Sequence, residues 1–174
     1  MEPINFEKLR TEIAQRAVTI IDSQPGVDYI TACPDRFLKH LPFPYKYINK
    51  GKFRMVYEIP CGLVLKITSD NKQNAKEWDA MQAYPELFPR GYAFSTHAMV
   101  VEKAELVTSY DPRCATDDFK ERVKALQRVF PRLKDVGFVT RYAEQDFYGV
   151  AIASHDVLVC IDCGSNWRGY GQSK

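Results

Sequence analysis

No run of about 18 or more apolar residues occurs anywhere in the 174-residue sequence, which excludes a membrane-spanning helix of ordinary length. The opening MEPINFEKLR mixes acidic and basic residues and lacks the apolar stretch of a secretory signal, so the expectation is a cytoplasmic chain. Charge of one sign is not in excess: 24 Lys and Arg against 22 Asp and Glu leave +2, too little to attract nucleic acid or an anionic membrane in bulk. Cysteine is sparse and odd in number, at positions 33, 61, 114, 160 and 163, so reduced thiols are expected rather than a disulfide framework. Cys160 and Cys163 form a CxxC, but the second pair that a zinc ribbon needs is missing. His40, His97 and His155 show no ligand spacing with one another. There is no internal repeat and no low-complexity tract.

What is present is a chain with 45 % hydrophobic and 26 % charged residues, enough to bury a core and keep a hydrated surface. Phe6, Leu9, Ile13, Ala17, Ile20 and Ile21 recur at three- and four-residue steps and predict an amphipathic helix over 5–23, with Asn5 placed to cap it. Residues 24–46 carry Pro25, Pro34, Pro42 and Pro44 and read mainly as a connector, with one helical turn at 36–40. Two β-branched and apolar runs, 53–59 and 62–68, flank Pro60, Cys61 and Gly62 and predict a hairpin. A helix over 71–83, a buried strand over 98–103 and a helix over 117–134 follow. Thr116 is placed to cap the last helix, and Pro131 predicts its kink or early stop. Residues 147–152 and 156–161 read as a β-hairpin turning near Ser154 and His155. This order is α+β; it does not alternate as a doubly wound parallel sheet does.

Five segments carry candidate chemistry. INKGKFRMVYE, from Ile48, places Asn49, Gly51 and Arg54 at the three positions of a G-x-G-x-x-G phosphate turn, where only the middle glycine is kept. Glycine lets backbone amides approach a phosphate, and arginine at 54 either clashes with that approach or contacts the phosphate itself. In LVLK, Lys66 lies among aliphatic residues on a strand, and Glu77 in the next helix is its candidate partner, since unpaired charge is costly to bury. AMVVEKAEL is a buried strand ending in Glu102–Lys103–Ala104. LKDVGFVTRYAEQDFYGV, residues 133–150, matches L-x-x-x-G-I-V-H-R-D-L-K-x-x-N through Gly137, Phe138, Val139 and Arg141. VLVCIDCG ends in Asp162–Cys163–Gly164, in the form of D-x-G. Each segment alone also reads plainly, as a Gly turn, a snorkelling lysine, a core strand or a polar turn.

In this order, over residues 47–164, the segments resemble a small and degenerate protein kinase, of the kind found in bacteria and phages. The resemblance implies a kinase-like N-lobe over 47–103, with an antiparallel sheet and one helix, preceded by a helical extension and connector over 1–46. It implies a truncated, mainly helical C-lobe with a β-hairpin over 104–174. ATP and magnesium are the implied ligands: Asn49, Gly51, Arg54, Lys66 and Glu77 for the phosphates, the backbone of Glu102 to Ala104 for the adenine, and Asp162 for the metal.

The sequence also departs from the family. In the ungapped register the catalytic aspartate position is Tyr142 and the metal-binding asparagine position is Phe147; shifted by one, Arg141 and Asp146 stand there. Neither register supplies the aspartate, which leaves Glu144 and Asp146 as candidates for a base and Asp146 as a second metal ligand. After Gly164 the sequence reads SNWRGYGQSK, with no activation segment and no A-P-E. The resemblance therefore implies a catalytically impaired pseudokinase that binds a protein partner as regulator or inhibitor, as a phage or prophage accessory protein would. An active atypical ATP-dependent phosphotransferase and an α+β interaction domain unrelated to kinases stand as alternatives.

Overall fold

A computed structural model describes residues 4–51, 53–107, 111–131, 135–145 and 151–162; at 135, 141–145, 151–155 and 162 it describes the backbone alone. The chain divides into two compact units. One comprises Ile4–Ala83 and Arg90–Lys103; the other comprises Tyr84–Pro89 and the chain from Ala104 on.

The first unit begins with α1 (Phe6–Asp22), whose N-cap Asn5 accepts a hydrogen bond from the Lys8 amide at 3.0 Å. Its buried residues Ala14, Ala17, Val18 and Ile21 fall at helical spacing. Two small alanines in that stripe let the helix lie close to β-strands. A short helix α2 (Pro34–Leu38) buries Phe37 and Leu38. The sheet follows: β1 (Lys46–Lys50), β2 (Arg54–Ile59), β3 (Leu63–Thr68), then helix α3 (Gln73–Ala83), then β4 (Gly91–Phe94) and β5 (Ala98–Glu102). All pairings are antiparallel and the spatial order is β1-β2-β3-β5-β4.

Period-two alternation assigns the faces. Leu63, Leu65 and Ile67 share a core with Tyr57, Ile59, Ala98 and Val100 and with α1 and α2. Val64, Lys66 and Thr68 point the other way, where Lys66 stands opposite Val56 and Met99. Every residue of β3 is buried, so helices cover both faces of the sheet's centre. From the stretch read in the sequence as a helical extension and connector, α1 and α2 contribute to the same core as the sheet.

In the second unit, β6 (Glu105–Leu106), β7 (Asp135–Gln145) and β8 (Ala151–Asp162) form an antiparallel sheet in that order. Helix α4 (Asp117–Val129) is capped by Thr116, whose side chain accepts from the Phe119 amide at 3.2 Å. It ends two residues before Pro131, because proline cannot continue the backbone hydrogen-bond ladder. Phe130 then packs edge-on against Tyr84 and Phe88. Gly137 is required by close approach: a Cβ there would collide with Ile161 Cδ1 and lie 2.7 Å from the Glu105 carbonyl oxygen.

Two expectations are corrected. The hairpin does not turn at Ser154 and His155; they pair with Tyr142 and Arg141 in the middle of β8. A polar Ser-His-Asp triplet suggests a turn, yet exposed strand positions accept polar side chains, and Asp156 is exposed opposite Thr140. The second unit is also not mainly helical among the described residues, where its sheet contains more of the chain than α4 does. Strands β1, β4 and β6 and the 3₁₀ turns at 27–29, 85–87 and 112–115 have no counterpart among the sequence expectations.

Candidate functional site

The site is built where β3 meets α3. Strand β3 presents Lys66 toward the helix, and α3 presents Glu77 back. The Lys66 Nζ donates to Glu77 Oε1 at 2.5 Å. Both side chains are almost wholly enclosed, with 7 % and 6 % exposure. The other carboxylate oxygen, Oε2, accepts from Arg54 Nη1, on the first residue of β2. One buried carboxylate therefore seats two cations, one per oxygen, from two adjacent strands. Charge-assisted pairing of this kind is what makes burial of the three groups tolerable. The sequence offers Arg54 as a clash or a phosphate contact; its interaction with Glu77 is a through-space fact that no linear pattern announces.

Two further side chains hold α3 in place. Trp78 stacks on Phe94 of β4, ring centroids 4.7 Å apart. Gly91 makes room for that indole, since a Cβ there would fall 2.5 Å from Trp78 Cζ3. Asn74, fully buried in the first turn, donates to the carbonyls of Ser95 and Thr96 at 3.3 and 3.4 Å. His97, next to that pair of carbonyls, bonds through Nδ1 to the Thr68 carbonyl at 2.9 Å. No motif in the sequence marks Asn74, Trp78, Gly91 or His97 as part of a site.

The β1–β2 turn is tied down rather than open. The Gly51 amide donates to the Arg54 carbonyl at 2.8 Å, and the Phe53 carbonyl accepts from Thr68 Oγ1 at 2.7 Å. Asn49 Oδ1 accepts from the Lys50 amide at 2.7 Å. Gly51 has room for a side chain, its nearest neighbour to a Cβ being at an ordinary 3.7 Å, so close packing does not demand glycine there. Beside this turn lies a pocket of about 300 Å³, lined among others by Lys50, Gly51, Phe53, Arg54, Ser69 and Asp70.

Glu102 is buried at the end of β5; its amide donates to the Arg90 carbonyl at 2.8 Å and its carboxylate accepts from the Arg90 amide at 3.2 Å. The Lys103 amide donates to the Gly62 carbonyl. Ala104 belongs to the second unit and lies 3.2 Å from where a Gly137 Cβ would stand.

The remaining candidates are placed differently. Glu144 lies on β7, and residues 140–142, aligned with the catalytic loop, are strand residues paired with 156, 155 and 154. Asp162 ends β8 opposite Asp135. Asp146 and Cys163 lie outside the described residues. Among the described residues no group of three or more His, Cys, Asp or Glu side chains is disposed to hold a metal ion.

None of the protein-family models matches the chain, and no curated protein and no solved structure matches it either.

Proposed function

We propose that this chain is a kinase-like protein of impaired catalytic power that holds a nucleotide through its five-stranded unit and acts by binding a protein partner. The observation that carries this reading is the buried Lys66–Glu77 pair, formed between the third strand and the helix inserted before the fourth. In kinases a lysine so placed holds the α- and β-phosphates while the helix glutamate fixes the lysine's position. The residues fit that role, since Lys66 and Glu77 are paired with each other and almost wholly enclosed. ATP with magnesium, when bound, supplies the transferable phosphoryl group; the chain's own residues bind and orient it. Asp162 is assigned to the metal on sequence alone, and the adenine edge to the backbone of Glu102 to Ala104 likewise. The absence of an aspartate at Tyr142 favours regulation over turnover. Exposed Tyr47, Ile48 and Phe53, on and beside β1, favour a protein partner there.

The test is a thermal-shift titration with ATP and magnesium on the wild type, Lys66→Met and Asp162→Ala. A ligand that binds the folded state raises Tm by mass action, by about 2.7 kcal/mol of stabilisation at a hundred times Kd. A rise in the wild type that both variants lose supports the nucleotide site; no rise at millimolar ATP removes it. Turnover that Lys66→Met abolishes replaces the impaired reading with an active phosphotransferase.

A further inference from the structure

We infer that β1 is a docking edge, to which a protein partner adds an extended acidic segment as a further strand of the five-stranded sheet. The inference rests on the protein-partner part of the reading above and deepens it by giving the partner's chemistry and its mode of binding. Strand β1 ends the strand order, with β2 on one side and no described strand on the other. An edge strand presents a row of main-chain donors and acceptors with which a peptide can pair. All five residues of β1 are exposed. One amide of the row shows what it takes. The Gly51 amide bonds back to the Arg54 carbonyl, so alternation along the ladder turns the next residue, Lys50, outward. The Lys50 amide donates to Asn49 Oδ1 at 2.7 Å, an acceptor that stands where a partner's carbonyl oxygen would and that a partner would replace.

Charge selects the occupant. Residues 45–53, YKYINKGKF, hold three lysines and no acidic residue. Among the described residues no carboxylate lies within salt-bridge distance of Lys46 or Lys50; Glu58, the cross-strand neighbour of Lys46, is paired with Lys103 at 3.0 Å. Carboxylates on an added strand complement these lysines. A second copy of β1 does not, since it sets lysine against lysine. Tyr47 and Ile48, 51 % and 40 % exposed, give the same strand apolar contacts, so the segment combines acidic and apolar residues. At the end of β1 the pocket of about 300 Å³, lined in part by Ala32, Lys50, Phe53 and Met55, has room for one of its side chains. The sheet's other edge, β4, reads GYAF, four residues without charge, and offers an acidic segment nothing comparable.

The test selects short random peptides by phage display on the full chain and measures the enriched ones, made with a fluorescein label, by anisotropy. Expected are peptides rich in Glu and Asp with interleaved apolar residues, which slow amide hydrogen exchange over residues 46–50. The double variant Lys46→Gln with Lys50→Gln, its Tm recorded first to show that it folds, should weaken them about fivefold or more, the scale of two exposed ion pairs. A selected peptide remade with alternate backbone amides methylated should lose at least as much, because main-chain pairing is blocked while the side chains stay. Peptides that protect another surface, or that keep their Kd when methylated, overturn strand addition at β1 and leave a protein partner standing. Failure to enrich any acidic peptide overturns it as well. Labelled oligo-dT that binds more tightly than the peptides and is lost in the double variant reassigns the lysines to nucleic acid and also overturns it. Lys46 and Lys50 are not among the nucleotide residues, so the ATP titration above stands or fails independently of this test.

Discussion

Glu77 is a residue on which two others depend, and that asymmetry is measurable. Removing it by Glu77→Ala takes the shared anion from a buried lysine and a partly buried arginine, a change on the order of 3–5 kcal/mol. Lys66→Met leaves Glu77 still bound to Arg54, so its cost should be smaller by at least about 1 kcal/mol. Urea unfolding of the two variants checks the ranking, and equal costs would mean that Arg54 contributes little. A second residue-scale test concerns Cys61, a non-glycine residue at φ 68° beside Gly62 at φ 66°. Side chains strain that conformation, so Cys61→Gly is expected to stabilise the β2–β3 turn by about 0.5–1 kcal/mol. The turn stays anchored meanwhile, because Arg10 Nε donates to the Cys61 carbonyl at 2.9 Å in either case. Tyr57 offers a third. Burial pushes its phenol from 10.0 up to about 12, with the Asp35 carboxylate adding to the shift. A folded-state value above the unfolded one means that its stabilising contribution is complete below pH 10 and is lost as pH climbs toward 12. Tyr57→Phe should flatten stability against pH across that window.

At the scale of elements, α3 is seated by a glycine it does not contain. Gly91→Ala drives a methyl into the Trp78 ring, and overpacking of this kind costs about 1–3 kcal/mol. Because Trp78 and Glu77 are neighbours on one helix, the same variant should loosen the Lys66–Glu77 pair. The expected outcome is a lower Tm together with a smaller shift on adding ATP than the wild type shows; a lower Tm with an unchanged shift would separate the helix seat from the site. Most long elements are legible in the sequence for simple reasons. The apolar period of α1, the capping Thr116 of α4 and the two β-branched runs of β2 and β3 each carry their own signal. The elements that escape a sequence reading lack one. Strand β1 reads KYINK and is exposed throughout, so no alternation marks it; it is a strand because β2 pairs with it. Strand β4 is four residues, one of them the glycine that Trp78 requires. Strand β7 reads as a loop because its residues fit a loop motif, while pairing with β8 along its length decides its conformation. The Lys66–Glu77 pair is legible as a charge needing a partner. Arg54's share in it is not, since its 23-residue separation from Glu77 fits no local rule.

On the scale of the whole molecule, each unit has its own buried cluster and must be followed by its own probes. In the five-stranded unit, β3 and β5 are buried at every residue and β1 at none. Hydrogen exchange should therefore grade across that sheet, slowest in β3 and β5 and fastest in β1. Uniform protection would mean that the unit opens only as a whole. In the other unit, Arg113 gathers Asp111, Glu105 and Asp156 and lies 3.9 Å over the Phe138 ring. Its hydrogen bonds hold the Asp111 carboxyl below the ordinary carboxylate range. The fully buried Leu126, Phe130, Phe88, Val139 and Val159 belong to the apolar part of the same unit.

The sharing of Glu77 also bears on descent. A lineage carrying this trio can lose either cation and keep a neutral pair, so Arg54 and Lys66 are open to change one at a time. Glu77 is the hardest to lose first, because its loss while both cations remain removes the one anion that they share. The order of permitted substitutions is thus written into a single carboxylate.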